Sequence, residues 1–167
     1  LGLFYINKSF PEHIQNMLQE TMGTPVELES ASLDILNTQI LIEGVQFYNP
    51  EGFPKGAIAK LPKSFIDFEF RALIEQRIIF NYVEIDGQET HILRDGAGKI
   101  NWFYIRSFLE GGKFERTGFM AWMNGWPMEI HKYSVSIRKN TYTDYSITPA
   151  FKKFLLLDLR NSEYRNL

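Results

Sequence analysis

The strongest constraint on this chain is a change in its hydrophobic period near Gly23. Between Ser9 and Gly23 the residues Ile14, Met17, Leu18, Thr21 and Met22 recur at helical spacing and make one stripe. The opposite side carries His13, Gln15, Asn16, Gln19 and Glu20. Ser9 suits the cap, Pro11 and Glu12 the first turn, and Gly23 the stop, so the spacing predicts an amphipathic helix over 9–24.

After Pro25 the period is two. Val26 and Leu28 alternate with Glu27 and Glu29, and Ile40 to Tyr48 is rich in strand formers around Gly44. From Ser64 to Phe70, Ile66, Phe68 and Phe70 alternate with Phe65, Asp67 and Glu69. Arg77 to Ile85 reads as a strand with Ile79, Val83 and Ile85 on one side, broken by Gly87 before Thr90 to Arg94 resumes. Further strands are expected over Met128–Arg138, Tyr142–Ser146 and Phe151–Leu159. Ala72–Gln76 suits one helical turn, and Trp102, Ile105, Phe108 and Leu109 suit a short helix. The predicted fold class is α+β, mainly antiparallel β, with an elongated curved sheet after the helix.

Composition narrows the function. With 167 residues, 44% apolar and 23% charged, the chain can bury about 70% of its extended surface. A net charge of −2 argues against a nucleic-acid partner, which favours a basic surface. The absence of cysteine excludes disulfides, thiolate zinc sites and cysteine nucleophiles.

No catalytic constellation stands out, so the chain is read as a non-enzyme without cofactor or metal. His13, His91 and His131 are scattered; Glu129 and His131 share a strand face, but two ligands do not hold a metal. Gly96-Ala97-Gly98 lacks the remainder of a phosphate loop and reads as a turn. The pairs Asp67/Glu69 and Glu84/Asp86 read as a solvated strand face. Three runs closed by a charged residue and Gly or Asn, at Ile42–Val45, Val83–Gly87 and Val135–Asn140, suggest strand–kink–strand units about 45 to 50 residues apart. Ordinary hairpins would look the same.

Two segments are apolar without a clear place. Leu1 to Ile6 turns polar at Asn7-Lys8-Ser9 and is either the end of a membrane or signal segment or a short strand. Gly111 to Pro127 holds Phe119, Met120, Trp122, Met123 and Trp126, which either pack under the sheet or contact a membrane or partner.

Several motifs occur in order. Thr21-Met22-Gly23-Thr24-Pro25-Val26 leads into the first strand, and Ile42-Glu43-Gly44-Val45 precedes the loop Asn49-Pro50-Glu51-Gly52-Phe53. Arg77 to Gly87 is followed by His91 to Trp102, with Asp95, Gly98, Asn101 and Trp102 in a turn, and then by Asn140 to Tyr145 with Pro149. This succession resembles the N-terminal region of the AsmA-like family of bacterial envelope proteins. The resemblance implies that residues 1–8 end a single N-terminal transmembrane anchor in the bacterial inner membrane, with residues 25–167 as a β-rich periplasmic domain. It also implies a role in phospholipid binding or transport through a curved sheet with an apolar groove, and supplies no catalytic residue.

The groove candidates are Ile40, Ile42, Ile66, Phe68, Phe70, Val135, Ile137, Leu155 and Leu157. A dry core is the competing fate of the same residues. The alternative function is that of an accessory subunit of a larger membrane complex, docking through Phe119, Met120, Trp122, Met123 and Trp126.

Overall fold

The computed structural model describes residues 2–105, 118–146 and 151–155. Helix α1 (Gly2–Met22) leads into strands β1 (Val26–Glu27), β2 (Ser30–Asp34), β3 (Gln39–Tyr48) and β4 (Ala57–Phe68). A short helix α2 (Phe70–Ile74) precedes β5 (Ile78–Arg94), β6 (Met128–Ile130), β7 (Tyr133–Asp144) and β8 (Phe151–Leu155). The fold is α+β, as the period change requires.

Helix α1 stops where expected: Gly23 takes φ 66° and donates its N–H to the Gln19 carbonyl at 2.8 Å. It begins earlier than expected, because Pro11 lies inside it and not in its first turn. A proline removes one donor and crowds one carbonyl, leaving the hydrogen-bond ladders on either side available. No described helix is long and apolar enough to cross a membrane. This corrects the expected transmembrane anchor ending at residue 8 and the inner-membrane, periplasmic placement that depended on it. Residues 2–8 continue into an amphipathic helix whose next turns carry Glu12, His13, Gln15 and Asn16.

The eight described strands form one sheet in the order β1-β3-β4-β5-β7-β8, with β2 also on β3 and β6 also on β5. The pairs are antiparallel except β5 with β6 and with β7, which run parallel. Every β6 and β7 partner lies 50 residues downstream of its β5 partner, from Ile78 with Met128 to Arg94 with Asp144. The expected break at Gly87 is absent, since β5 runs unbroken through it, and Tyr142 continues β7 instead of opening a new strand. Of the expected helix over 101–109, the described residues hold a 3-10 turn over Asn101–Tyr104, and Phe108 and Leu109 lie outside the described residues.

One transverse line organises the sheet. Glu43 pairs with Lys63 and Val45 with Leu61, which sets Gly44 opposite Pro62. Lys63 pairs with Asp86 and Lys60 with Glu89, which sets Pro62 opposite Gly87, and Gly87 pairs with Ile137. Side chains alternate along a strand, so residues an odd number apart normally face opposite sides. Yet Ile42 and Val45 belong to one core cluster, as do Leu61 and Ile66. Alternation therefore slips by one residue at Gly44 and again at Pro62, in neighbouring strands at the same level, and the register there is unchanged. Pro62 is tolerated in a central strand because it lies at this kink, where a ladder donor is not required.

The glycines are sterically required. Gly44 sits at φ +65°, and a Cβ there would lie 2.2 Å from Glu29 Cγ. A Cβ on Gly87 would lie 3.0 Å from the Ser136 carbonyl oxygen and 3.2 Å from Ile137 Cγ1.

Gly44→Ala is expected to destabilise by about 2 to 4 kcal/mol, combining the left-handed penalty with displacement of Glu29. Gly52→Ala shares the positive φ but meets nothing within 4 Å, so its cost stays near the conformational penalty of about 1 to 2 kcal/mol. Urea unfolding of both variants measures the difference, and equal midpoints would refute the steric account.

Candidate functional site

The face under α1 is the apolar one. Phe10 and Ile14 are buried there with Val26, Ala31, Ile42, Val45 and Phe47, and Met17, Leu18, Met22, Leu33, Ile40 and Ile66 pack around them. Gln15 Nε2 fixes the helix to β1 by donating to the Val26 carbonyl at 2.8 Å. Directly paired residues share a sheet face. The register therefore carries this face outward in two rows: Leu33, Ile40, Ile66, Val83 and Tyr133, then Ala31, Ile42, Ser64, Ile85 and Val135.

The same face continues toward the start of β5. A bulge places both Asn81 and Tyr82 against Asp67, and Asn81 Nδ2 donates to Asp67 Oδ1 at 2.8 Å. Phe80 consequently pairs with Phe68 on the apolar face, where simple alternation had placed Ile79. Ile130 pairs with Phe80 and Met128 with Ile78. An apolar strip thus runs along β5, β6 and β7 from Ile137 through Val135, Tyr133 and Ile130 to Met128.

Exposure separates the two ends of this face. Near α1 it is closed, Ile42 being 6% exposed; Phe68, beside Phe80, is also buried at 8%. Along β5 and β7, Val83, Ile85, Tyr133, Val135 and Ile137 are half-buried, and Ile130 and Met128 reach 41% and 48%. Beyond Ile137 the face becomes mixed, with the half-buried pair Ile92 and Tyr142 between the polar pairs Thr90–Asn140 and Arg94–Asp144. The Thr90 hydroxyl donates to Asn140 Oδ1, both residues being buried, and farther on Arg94 lies 3.6 Å from Asp144. The Ser146 hydroxyl, followed by the Ser146 N–H, the Tyr142 hydroxyl and Arg94, holds the Asp144 carboxyl below the usual carboxylate range.

The expected groove residues accordingly divide. Ile40, Ile42 and Ile66 are on the expected face but belong to the closed core under α1, and Phe68 is buried on that face beside Phe80. Val135 and Ile137 lie on its half-open part. Phe70 is not on the face; it starts α2 and is 48% exposed, because β4 ends at Phe68. Leu155 belongs to β8, its backbone opposite Asn140, and Leu157 lies outside the described residues. Val83, Ile85, Ile130 and Met128 were missed, since their place depends on a parallel pairing across 50 residues that no local pattern signals.

The opposite face is charged. Lys60 Nζ lies 2.7 Å from Glu89, with Lys139 at 3.8 Å and His91 at 3.5 Å, while Arg138 lies 2.6 Å from Asp86. The Lys60 hydrogen bond, aided by the charges of Lys60, His91 and Lys139, holds the Glu89 carboxyl below its usual range.

Two of the motif loops meet. Asn101, fully buried, accepts the Leu93 and Trp102 N–H groups at 3.0 and 2.9 Å. It donates to Asn49 Oδ1 at 2.8 Å and to the His91 carbonyl at 2.9 Å. Asn49 in turn closes its own loop by donating to the Pro54 carbonyl at 2.9 Å. Asp95 Oδ1 accepts the Ala97 and Lys99 N–H groups and shapes the turn before Asn101. These residues are a structural clasp; their polar groups bond the backbone and, between Asn101 and Asn49, each other.

The aromatic segment divides too. Met123 is buried, Trp122 is 52% exposed, and Trp122 meets Trp126 edge-on with centroids 4.6 Å apart. Phe119 and Met120 lie in a 3-10 turn over Gly118–Met123, and their side chains are outside the described set. Among the described residues no group of three or more His, Cys, Asp or Glu could hold a metal ion.

No protein-family model, curated protein or solved structure matches this chain.

Two measurements check the clasp and the charged face. Asn101→Ala strands the buried Leu93 N–H and the half-buried Trp102 N–H and is expected to cost about 2 to 4 kcal/mol in urea unfolding, whereas a loss under about 1 kcal/mol would remove the clasp from the account. For Glu89 the folded pKa is depressed. Its contribution is therefore complete above the unfolded value of about 4.3 and is lost as pH falls through the lower folded value. Lys60→Met should flatten the fall in stability between about pH 5 and pH 3; parallel curves for variant and parent would refute the coupling.

Proposed function

We propose that this chain is a non-enzymatic AsmA-like module that binds the acyl chains of membrane phospholipid along the half-open apolar strip of β5, β6 and β7. The observation carrying this reading is the change of exposure on one continuous face, closed beneath α1 and accessible from Ile137 to Met128. Each methylene moved from water onto such a surface contributes about 0.8 kcal/mol, so a chain contacting only part of the strip gains enough to bind. The charged opposite face suits water and directs the amphiphile to one side. The motif succession from Thr21 to Tyr145 supports the AsmA-like assignment, and the Asn49–Asn101 hydrogen bond gives two of those motifs a common structural purpose.

A second reading draws on a separate observation. Met128, Ile130, Phe70 and Ile74 are all exposed, Ile74 to 74%, and the elements bearing them, β6 and α2, adjoin the start of β5; Trp122, 52% exposed, lies in the preceding 3-10 turn. Exposed apolar side chains on neighbouring elements suit docking to another subunit of a membrane complex.

The test is lipid capture by the purified protein, read by native mass spectrometry after incubation with phospholipid vesicles. Val135→Asp combined with Ile137→Asp is expected to cut the lipid-bound fraction at least tenfold with the circular dichroism spectrum unchanged. Ile74→Ser should leave capture intact. A parent protein that carries no lipid would sink the first reading, and a stoichiometric complex lost on Ile74→Ser would favour the second.

A further inference from the structure

We infer that Asn124 is a site of spontaneous deamidation, which converts the turn between Trp122 and Trp126 from neutral to acidic without an enzyme. Asn124 is the only asparagine of this chain followed by glycine. The reaction brings the next residue's backbone nitrogen onto the asparagine side-chain carbonyl carbon, and a Cβ on that next residue obstructs the approach. Asn37, Asn81, Asn101 and Asn140 precede Thr, Tyr, Trp and Thr.

The fold leaves this pair room to react. Gly125 is exposed, takes φ +80°, and a Cβ added there would meet nothing within 4 Å. Its neighbours close the turn: the Asn124 N–H donates to the Ala121 carbonyl at 3.1 Å and the Trp126 N–H to the Met123 carbonyl at 3.2 Å. Among the described residues the Gly125 N–H has no hydrogen-bond partner, so the attacking nitrogen has no bond to break first. The pair also precedes β6 and so stands outside the sheet ladder. Other candidates are held. Asn101 is fully buried, and Asn37 Nδ2 donates to Asp34 Oδ2 at 2.7 Å. Two aspartates precede glycine, but Asp86 is paired with Arg138 at 2.6 Å and Asp95 Oδ1 accepts the Ala97 and Lys99 N–H groups.

In the first step a bond forms between the Gly125 nitrogen and Asn124 Cγ, and the Cγ–Nδ2 bond breaks. The side-chain nitrogen leaves as ammonia with the hydrogen of the Gly125 amide, and a cyclic imide remains. Water then opens the imide at either carbonyl, giving aspartate or isoaspartate. Both products add a negative charge, and isoaspartate also lengthens the backbone by one methylene. The new carboxylate stands in sequence between Trp122 and Met128, which are 52% and 48% exposed, and burying it against an apolar partner would be costly.

The test is incubation of the full folded chain in heavy-oxygen water at mildly alkaline pH, followed by peptide mapping with mass spectrometry. Heavy oxygen is expected in the Asn124 peptide first, in two separable products, aspartate and isoaspartate. Gly125→Ala should slow the labelling by about an order of magnitude. Because φ +80° also strains an alanine there, Asn124→Gln serves as a second variant and should remove the label, since its imide ring would be one atom larger. Label that enters Asn124 only after unfolding in urea would overturn the inference, because the folded turn would then block the attack. Equal labelling of all asparagines, or aspartate without isoaspartate, would overturn it as well.

Discussion

The sheet depends on a packing constraint in which Gly44, Pro62 and Gly87 lie side by side on three adjacent strands. Strand alternation cannot shift in one strand alone without breaking its hydrogen-bonded register with both neighbours. Here neighbouring strands shift at the same level, and the ladder survives on either side. The space is provided by missing atoms: Gly44 has no Cβ to strike Glu29, and Gly87 none to strike the Ser136 carbonyl. Because of this shift, Val45 and Phe47 join Ile42 in one core beneath α1.

The same line divides the β5–β7 half of the apolar face. On one side stand Val83, Ile85, Val135 and Ile137, and on the other the buried Thr90–Asn140 pair. Helix α1 packs against β1 and β2 and meets the β3 core, so its own burial is satisfied at one edge of a wide sheet. Burial that far from the helix must come from elsewhere, and the exposure of Ile130 and Met128 marks where it is least complete. A sheet with one charged face and one partly open apolar face is well suited to an amphiphile, which has the same two-sided character.

Local patterns foretold much of this. The helix and its Gly23 stop, the turn at Asp95, and the alternation of Ile40, Ile42, Ile66 and Phe68 follow from spacing and turn chemistry, which act within a few residues. Phe70 defeated the pattern because periodicity continues on paper past the point where β4 ends and α2 starts. Phe80 and Ile79 exchanged sides because a single bulge at Asn81 inverts alternation without altering composition. The anchor expectation failed because six apolar residues have the same appearance at the end of a membrane span and within a helix that is not apolar enough to cross a membrane.

By itself, then, the sequence determined the α+β class, the sites of the turns and the glycines at which the backbone must bend, since these depend on interactions between near neighbours. It also determined that Asn49 and Asn101 would lie at turns, but not that they would bond to each other across 52 positions. Only the tertiary structure decided that β5 and β7 pair in parallel, which brings Ile85 beside Val135 and creates the strip. Parallel pairing requires a long crossover whose ends carry no shared local signal, and the burial of a side chain depends on how far a distant helix reaches over it.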